Sequence, residues 1–308
     1  MVRRALVALS LVLGVGTARA DQNDVSIGRL ATPVPGNTGT TYVGQNLEFR
    51  ELASQLGVVF APDLLTPADT LGYSGFQLTL DASTTSIDKD ASYWRARDGG
   101  TSGSMNTVGF FLRKGLWFPL PSFEIGVGAV HLVDSTAWTG QLYAKFALHE
   151  GYAGLPIPSV AVRGAVARLM NQRELDLTVA SFDITLSHRI GIGGTWHLDP
   201  FAGYDLLLII PRSEVIDPTP NVAGDSTNDF VFKDQATITR NRIFVGAKAQ
   251  LSIVQLTAQF TYAMKGSSVD DRPGTSDACM PNSATTSCDA KDDAKAQTTI
   301  SLSAGIDF

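Results

Sequence analysis

Cysteine is almost missing from this chain: Cys279 and Cys288 are the two present in 308 residues, too few for a disulfide scaffold or a thiolate metal centre. Histidine is nearly as scarce, with four residues. Beyond Ala20 no apolar run approaches the roughly 20 residues that a helix needs to cross a bilayer, which excludes a helical membrane protein. Base is short as well. Lys and Arg number 24 against 30 Asp and Glu, a formal charge of −6. Arg3, Arg4 and Arg19 all fall in the first 20 residues; without them the balance is 21 against 30, or −9. Nucleic acid is therefore excluded as a partner, since binding phosphate requires a basic face.

What is present begins at the amino end. Arg3 and Arg4 precede the apolar run Ala5 to Val15, and Ala18-Arg19-Ala20 supplies the small residues of a cleavage site. Residues 1–20 read as a signal peptide, with the mature chain starting at Asp21. The two arginines lack the surroundings of a twin-arginine signal, so ordinary export is expected. In an exported chain Cys279 and Cys288, in one polar segment, are expected to close a short surface loop by a disulfide, contributing roughly 2.5–3 kcal/mol.

The carboxyl end alternates to its last residue. Ile300, Leu302, Ala304, Ile306 and Phe308 are apolar, and Thr299, Ser301, Ser303, Gly305 and Asp307 between them are polar or small. Period two with one apolar and one wet face describes a strand between lipid and a polar interior. The segment resembles the terminal strand of Gram-negative outer-membrane β-barrels, whose final Phe and alternating positions form the β-signal read by the barrel-assembly machinery. The resemblance implies location in the cell outer membrane, outer-membrane lipid as surroundings, and an all-β, antiparallel up-and-down transmembrane barrel. A mean hydropathy of +0.07 fits, because barrel strands hide their apolar half by alternation.

Period-two segments recur from Tyr73 and predict ten strands: 73–82, 105–118, 122–133, 137–148, 159–169, 174–188, 198–210, 236–251, 255–265 and 297–308. Eight or twelve remain compatible, because boundaries drift by a few residues. In the sixth segment the apolar parity slips from Leu175, Leu177 and Val179 to Phe182, Ile184 and Leu186; a β-bulge near Ala180 would explain it. With ten strands both ends of the barrel domain, residues 73–308, fall on one side. The long connections after strands 1, 7 and 9 then fall together on the other, matching short periplasmic turns and long extracellular loops.

Residues 21–72 stand apart from this pattern. Phe49, Leu52, Ala53 and Leu56 recur at helical spacing, Glu48 and Glu51 suit the start of a helix dipole, and Gly57 is a natural stop. One short amphipathic helix is expected, packed under the periplasmic mouth or entering the lumen as a plug.

If the apolar parity faces lipid, the opposite parity carries Arg113, Glu124, Lys145, Arg163, Asp183, Asp205, Arg240, Arg242 and Lys248 into the lumen. Both signs occur, which suits a network of paired charges in a narrow barrel. A bias of the basic members toward anions would instead make a small pore. A hydrolase needs a base beside a nucleophile, and the histidines, His131, His149, His188 and His197, suggest no such pair; His131 with Asp134 is the best remaining acid/base candidate. His188, His197 and Asp199 are weighed as metal ligands and read as a surface turn. Trp117, Phe118, Phe123, Trp196, Phe201 and Phe308 gather at predicted periplasmic strand ends, where rings sit at the lipid interface. The acidic loops read as solvated. The expected function is a small channel or structural barrel without cofactor or catalysis. The alternative is an extracellular interaction barrel, in which the Cys279–Cys288 loop meets a partner.

Overall fold

The computed structural model describes residues 21–36, 39–63, 65–100, 102–118, 122–150, 157–218, 229–232, 234–270 and 290–308. Residues 1–20, expected to be a signal peptide, and Cys279 and Cys288, expected to form a disulfide, lie outside them. Ten strands make the barrel: β1 Phe76–Ser86, β2 Ser104–Leu116, β3 Phe123–Leu132, β4 Trp138–His149, β5 Ser159–Met170, β6 Leu175–Ser187, β7 Trp196–Ser213, β8 Ile238–Leu251, β9 Val254–Ala263 and β10 Gln297–Asp307. Each pairs antiparallel with its neighbour in sequence, and β10 closes on β1 through pairs such as Leu302↔Ala82 and Ser301↔Ser83. An extra three-residue strand, Ile190–Ile192, folds back on the start of β7. Closure leaves no open edge, so the wall can stand in lipid with its backbone paired.

The burial pattern is inverted relative to a soluble protein. Ile300, Leu302 and Phe182 are 57–60% exposed, while Ser301 and Asp205 between outward residues are fully buried. Outward apolar side chains therefore form a belt on every strand, and polar ones fill the inside. Where a lumen-facing ring needs room, the adjacent strand supplies glycine. A Cβ on Gly246 would stand 2.4 Å from the Phe201 ring, and one on Gly203 would stand 2.3 Å from Phe244. Phe201 accordingly lies inside against Phe244 at 6.4 Å, not at the lipid interface expected for it. β1 also runs past Ala82 to Ser86, because Ser83 and Thr85 find partners across the ladder in Ser301 at 2.8 Å and Thr299 at 3.0 Å.

The expected bulge near Ala180 is absent. β6 pairs in unbroken register with β5 and with β7 through that position. The parity slips because the lumen changes character, not because the backbone does. Leu175, Leu177 and Val179 point inward and are at most 3% exposed, whereas Phe182, Ile184 and Leu186 point to lipid. The inward leucines join Leu132, Leu169, Leu207, Ile209 and Ile238 in one core with the amino-terminal region.

That core surrounds α1, Asn46–Val59, the one α-helix among the described residues. Its Phe49, Leu52, Ala53 and Leu56 are each 1% exposed, and Phe49 stacks on Phe232 at 4.7 Å. Burying each large side chain contributes about 2 kcal/mol. The helix packs on β6, β7 and β8 at the end that carries the long loops. Gly57 does not stop it. The helix continues two residues further because Gly57 faces Ile209, where a Cβ would stand 2.4 Å from the Ile209 Cδ1. Before α1 come a short 3-10 turn, Ile27–Leu30, and a hairpin of Ala31–Gly36 with Gly39–Gly44.

Candidate functional site

The lumen divides into two zones. Its long-loop half is the largely apolar core around α1; the other half is polar and charged, and it contains eight of the nine ionisable residues singled out by parity, Arg240 lying beside α1. Arg113, Glu124, Lys145, Arg163, Asp183, Asp205, Arg240, Arg242 and Lys248 are each at most 6% exposed.

Eight of the nine pair with an acid or a base in the wall. Arg163 Nε donates to Asp183 Oδ2 at 2.7 Å, and Arg242 Nε to Asp205 Oδ2 at 2.7 Å. Lys145 Nζ stands 3.2 Å from Glu124 Oε1, which also accepts from the Tyr143 hydroxyl at 2.6 Å. Lys248 Nζ donates to Asp307 at 2.9 Å. Arg113 bonds Gln77 at 2.6 Å and stands 3.8 Å from Asp81. Arg240 is the exception: it reaches up to α1, donating to Ser54 Oγ at 2.8 Å and to the carbonyls of Met264 and Lys295.

These wall groups have a second set of partners that the sequence pattern did not reveal. Residues 60–63 and 65–72 leave α1 and run down the lumen as a bent thread without helix or strand, fastened repeatedly by its main chain. Arg242 donates to the Pro62 carbonyl at 2.8 Å and Arg163 to that of Asp63 at 3.2 Å. Lys145 reaches the carbonyls of Pro67 at 3.3 Å and Asp69 at 3.0 Å. Going the other way, Leu65 N donates to Gln259 Oε1, Ala68 N to Ser187 Oγ, Thr70 N to Glu150 Oε1 and Leu71 N to Glu124 Oε2, all at 2.7–3.1 Å. Asp63 adds its carboxylate, accepting from Ser83 and Ser301 beside Arg242. Pro62 and Pro67 suit this role, because proline neither continues a helix nor joins a ladder. Asp81 and Gln77 were within reach of the parity rule, being inward on β1; the thread, having no period, was not.

Below the thread, at the mouth beside Phe308, a cavity of about 300 Å³ opens among Asp69, Glu124, Lys145, His197, Lys248 and Asp307. His197 Nε2 lies 3.1 Å from Gln250 Oε1 and 3.6 Å from Asp199, which Arg189 also engages. His131 points outward and stacks on Trp138 at 4.4 Å, with its Nδ1 3.2 Å from the Ala137 carbonyl. His188 is exposed and His149 half-buried. Among the described residues no group of three or more His, Cys, Asp or Glu is placed to hold a metal ion. Of the rings expected at the interface, Trp117, Phe118, Trp196 and Phe308 are at least 50% exposed.

A closed ladder with an apolar outer belt and a polar interior fits one solvent. The protein is a β-barrel of the Gram-negative outer membrane. The short turns and Phe308 lie at one end of the barrel and the long connections at the other, the arrangement expected when short turns are periplasmic. No protein-family model and no curated protein matches the chain. Among solved structures it is similar to Neisserial surface protein A, at 13% identity over 75% of this chain and 95% of that one, TM-score 0.31. It is similar also to Ail, the attachment invasion locus protein of Yersinia pestis, at 10% identity over 77% and 99%, TM-score 0.30. A third likeness is to the transport unit of the autotransporter AIDA-I from Escherichia coli, at 8% identity over 85% and 97%, TM-score 0.35.

Proposed function

We propose that this is a sealed, structural outer-membrane barrel, neither an open channel nor an enzyme. The observation that carries the reading is the thread of residues 60–72, whose main chain is hydrogen-bonded to wall side chains of β3, β4, β5, β6, β8 and β9. A pore would require those donors to face water or a solute; here they face carbonyls. Above the thread, α1 fills the lumen with Phe49, Leu52, Ala53 and Leu56 on one side and with Arg50 and Ser54, bonded to Ser268, Asp292 and Arg240, on the other. The charged lumen, on this reading, is an anchor for an internal segment rather than a filter. Single-channel recording in planar bilayers tests it. The intact protein is expected to give no stepwise current, and removal of residues 21–72, helix and thread together, is expected to produce ion-conducting steps. Steady conductance by the intact protein would refute the sealed barrel.

A further inference from the structure

The amino-terminal region runs through the barrel in a direction that an exported chain does not take by default. Its first residues are knitted into the loops at the far end. Asn23 N donates to the Asp134 carbonyl at 2.8 Å and Asn23 Nδ2 to that of Val133 at 2.6 Å, in the β3–β4 turn. Asp24 accepts from Ser135 and from the Thr136 amide, each at 2.7 Å. Ser26 N bonds the Ala96 carbonyl in the β1–β2 connection, and Gly28 N bonds Glu174 at the β5–β6 turn. At the opposite end Leu71 meets Glu124, and Phe76 N donates to the Phe308 carbonyl. Residues 21–59 thus sit at the long-loop end, and residues 60–72 connect them back to the short-turn end, where β1 begins.

We infer that residues 21–59 cross the outer membrane inside their own barrel and are displayed on the cell surface, with residue 21 facing the medium. The chemistry of the lumen suits such a passenger. Lys145, Arg163 and Arg242 hold the thread by carbonyl oxygens, and Gln259, Ser187, Glu150 and Glu124 hold it by amides or, for Glu150, an amide and a hydroxyl. Carbonyls recur at every residue and amides at all but proline, so these anchors accept an extended polypeptide with little regard to its side chains. A folded helix, about 10–12 Å across with its side chains, is wider than an extended chain. Passage is therefore as an extended chain, and α1 folds once its apolar face reaches Leu175, Leu177 and Ile209 beyond the polar zone. Folding there blocks return. A polypeptide joined ahead of residue 21 would be carried outward with it.

The test is cysteine labelling on intact cells with a membrane-impermeant maleimide. Single cysteines are placed at Gln22, at Ser102 in the long β1–β2 connection, and at Thr195 in the short β6–β7 turn, in a Cys279→Ser, Cys288→Ser background. All three positions are exposed. Gln22→Cys and Ser102→Cys are expected to label on intact cells, and Thr195→Cys only after permeabilisation. The inference is overturned if Gln22→Cys labels only after permeabilisation while Ser102→Cys labels without it. Labelling of Thr195→Cys alone on intact cells would overturn both the inference and the orientation of the barrel. An antibody against residues 21–30 of the unmodified chain gives a second readout should a variant not fold: surface staining supports the inference, and staining confined to permeabilised cells refutes it. Neither measurement depends on whether the lumen conducts.

Discussion

Gly57→Ala isolates the fit between α1 and the barrel wall. In an exposed helix the substitution would stabilise by about 1 kcal/mol, because alanine lowers the backbone entropy lost on folding. Here the new methyl group would stand 2.4, 2.6 and 2.7 Å from Ile209 Cδ1, Cγ1 and Cγ2, distances that force the isoleucine, the helix or both to move. Overpacking of this kind costs about 1–3 kcal/mol, so the balance is a net loss of about 1 kcal/mol. Ile209→Val removes the closest atom and by itself costs about 0.5–1.5 kcal/mol. If the clash is real, the two changes are coupled, and the double variant is no less stable than Gly57→Ala alone, a coupling near 1 kcal/mol. Urea titration of the four proteins folded into lipid vesicles, followed by tryptophan fluorescence, gives all the terms. The reasoning fails if Gly57→Ala is more stable than the parent and the two effects simply add.

Arg242→Ala leaves Asp205 and Asp63 facing each other without their common cation; the expected loss is about 3–5 kcal/mol, and Arg242→Met with Asp205→Leu is expected to lose less, by the same titration. Glu51, on α1, is pushed up from 4.5 to about 7 by burial first and then by Asp292, Asp293 and Glu48. Its folded form holds the proton more tightly than the unfolded chain, so stability falls as pH rises from about 4.5 to 7 and levels off above. The carboxyl is half exposed, which limits the effect to below about 1 kcal/mol. Glu51→Gln should remove that part of the slope, and an unchanged pH profile in the variant would exclude Glu51 as its source.

The ten strands were legible because each has lipid on one side, and lipid imposes a strict period of two. Asp205, Arg242 and Lys145 could be placed inward for the same reason. The rule failed where its assumption about the other side failed. Leu175, Leu177 and Val179 looked like a register slip because an interior was taken to be polar, when in this half it is lined for α1. Gly57 looked like a stop because glycine signals helix ends in general, whereas here it answers to Ile209 on a strand some 150 residues later. The thread of residues 60–72 gave no signal at all: its interactions run through the backbone, and backbone contacts leave no trace in the choice of side chain apart from the two prolines.

Leu206 to Ile210 on β7 is apolar on both faces, with Leu207 and Ile209 turned to the helix and the others outward. Before insertion this stretch of five uncharged, strand-forming residues has neither lipid nor lumen around it. Such a segment is prone to self-association in transit. The residues that later fold as α1 lie about 150 residues earlier in the chain, so Phe49, Leu52 and Leu56, still unfolded, precede the run and are available to it as apolar partners from its own chain. The segment that finally occupies the barrel is thereby also suited to shield the barrel's stickiest strand on the way to the membrane.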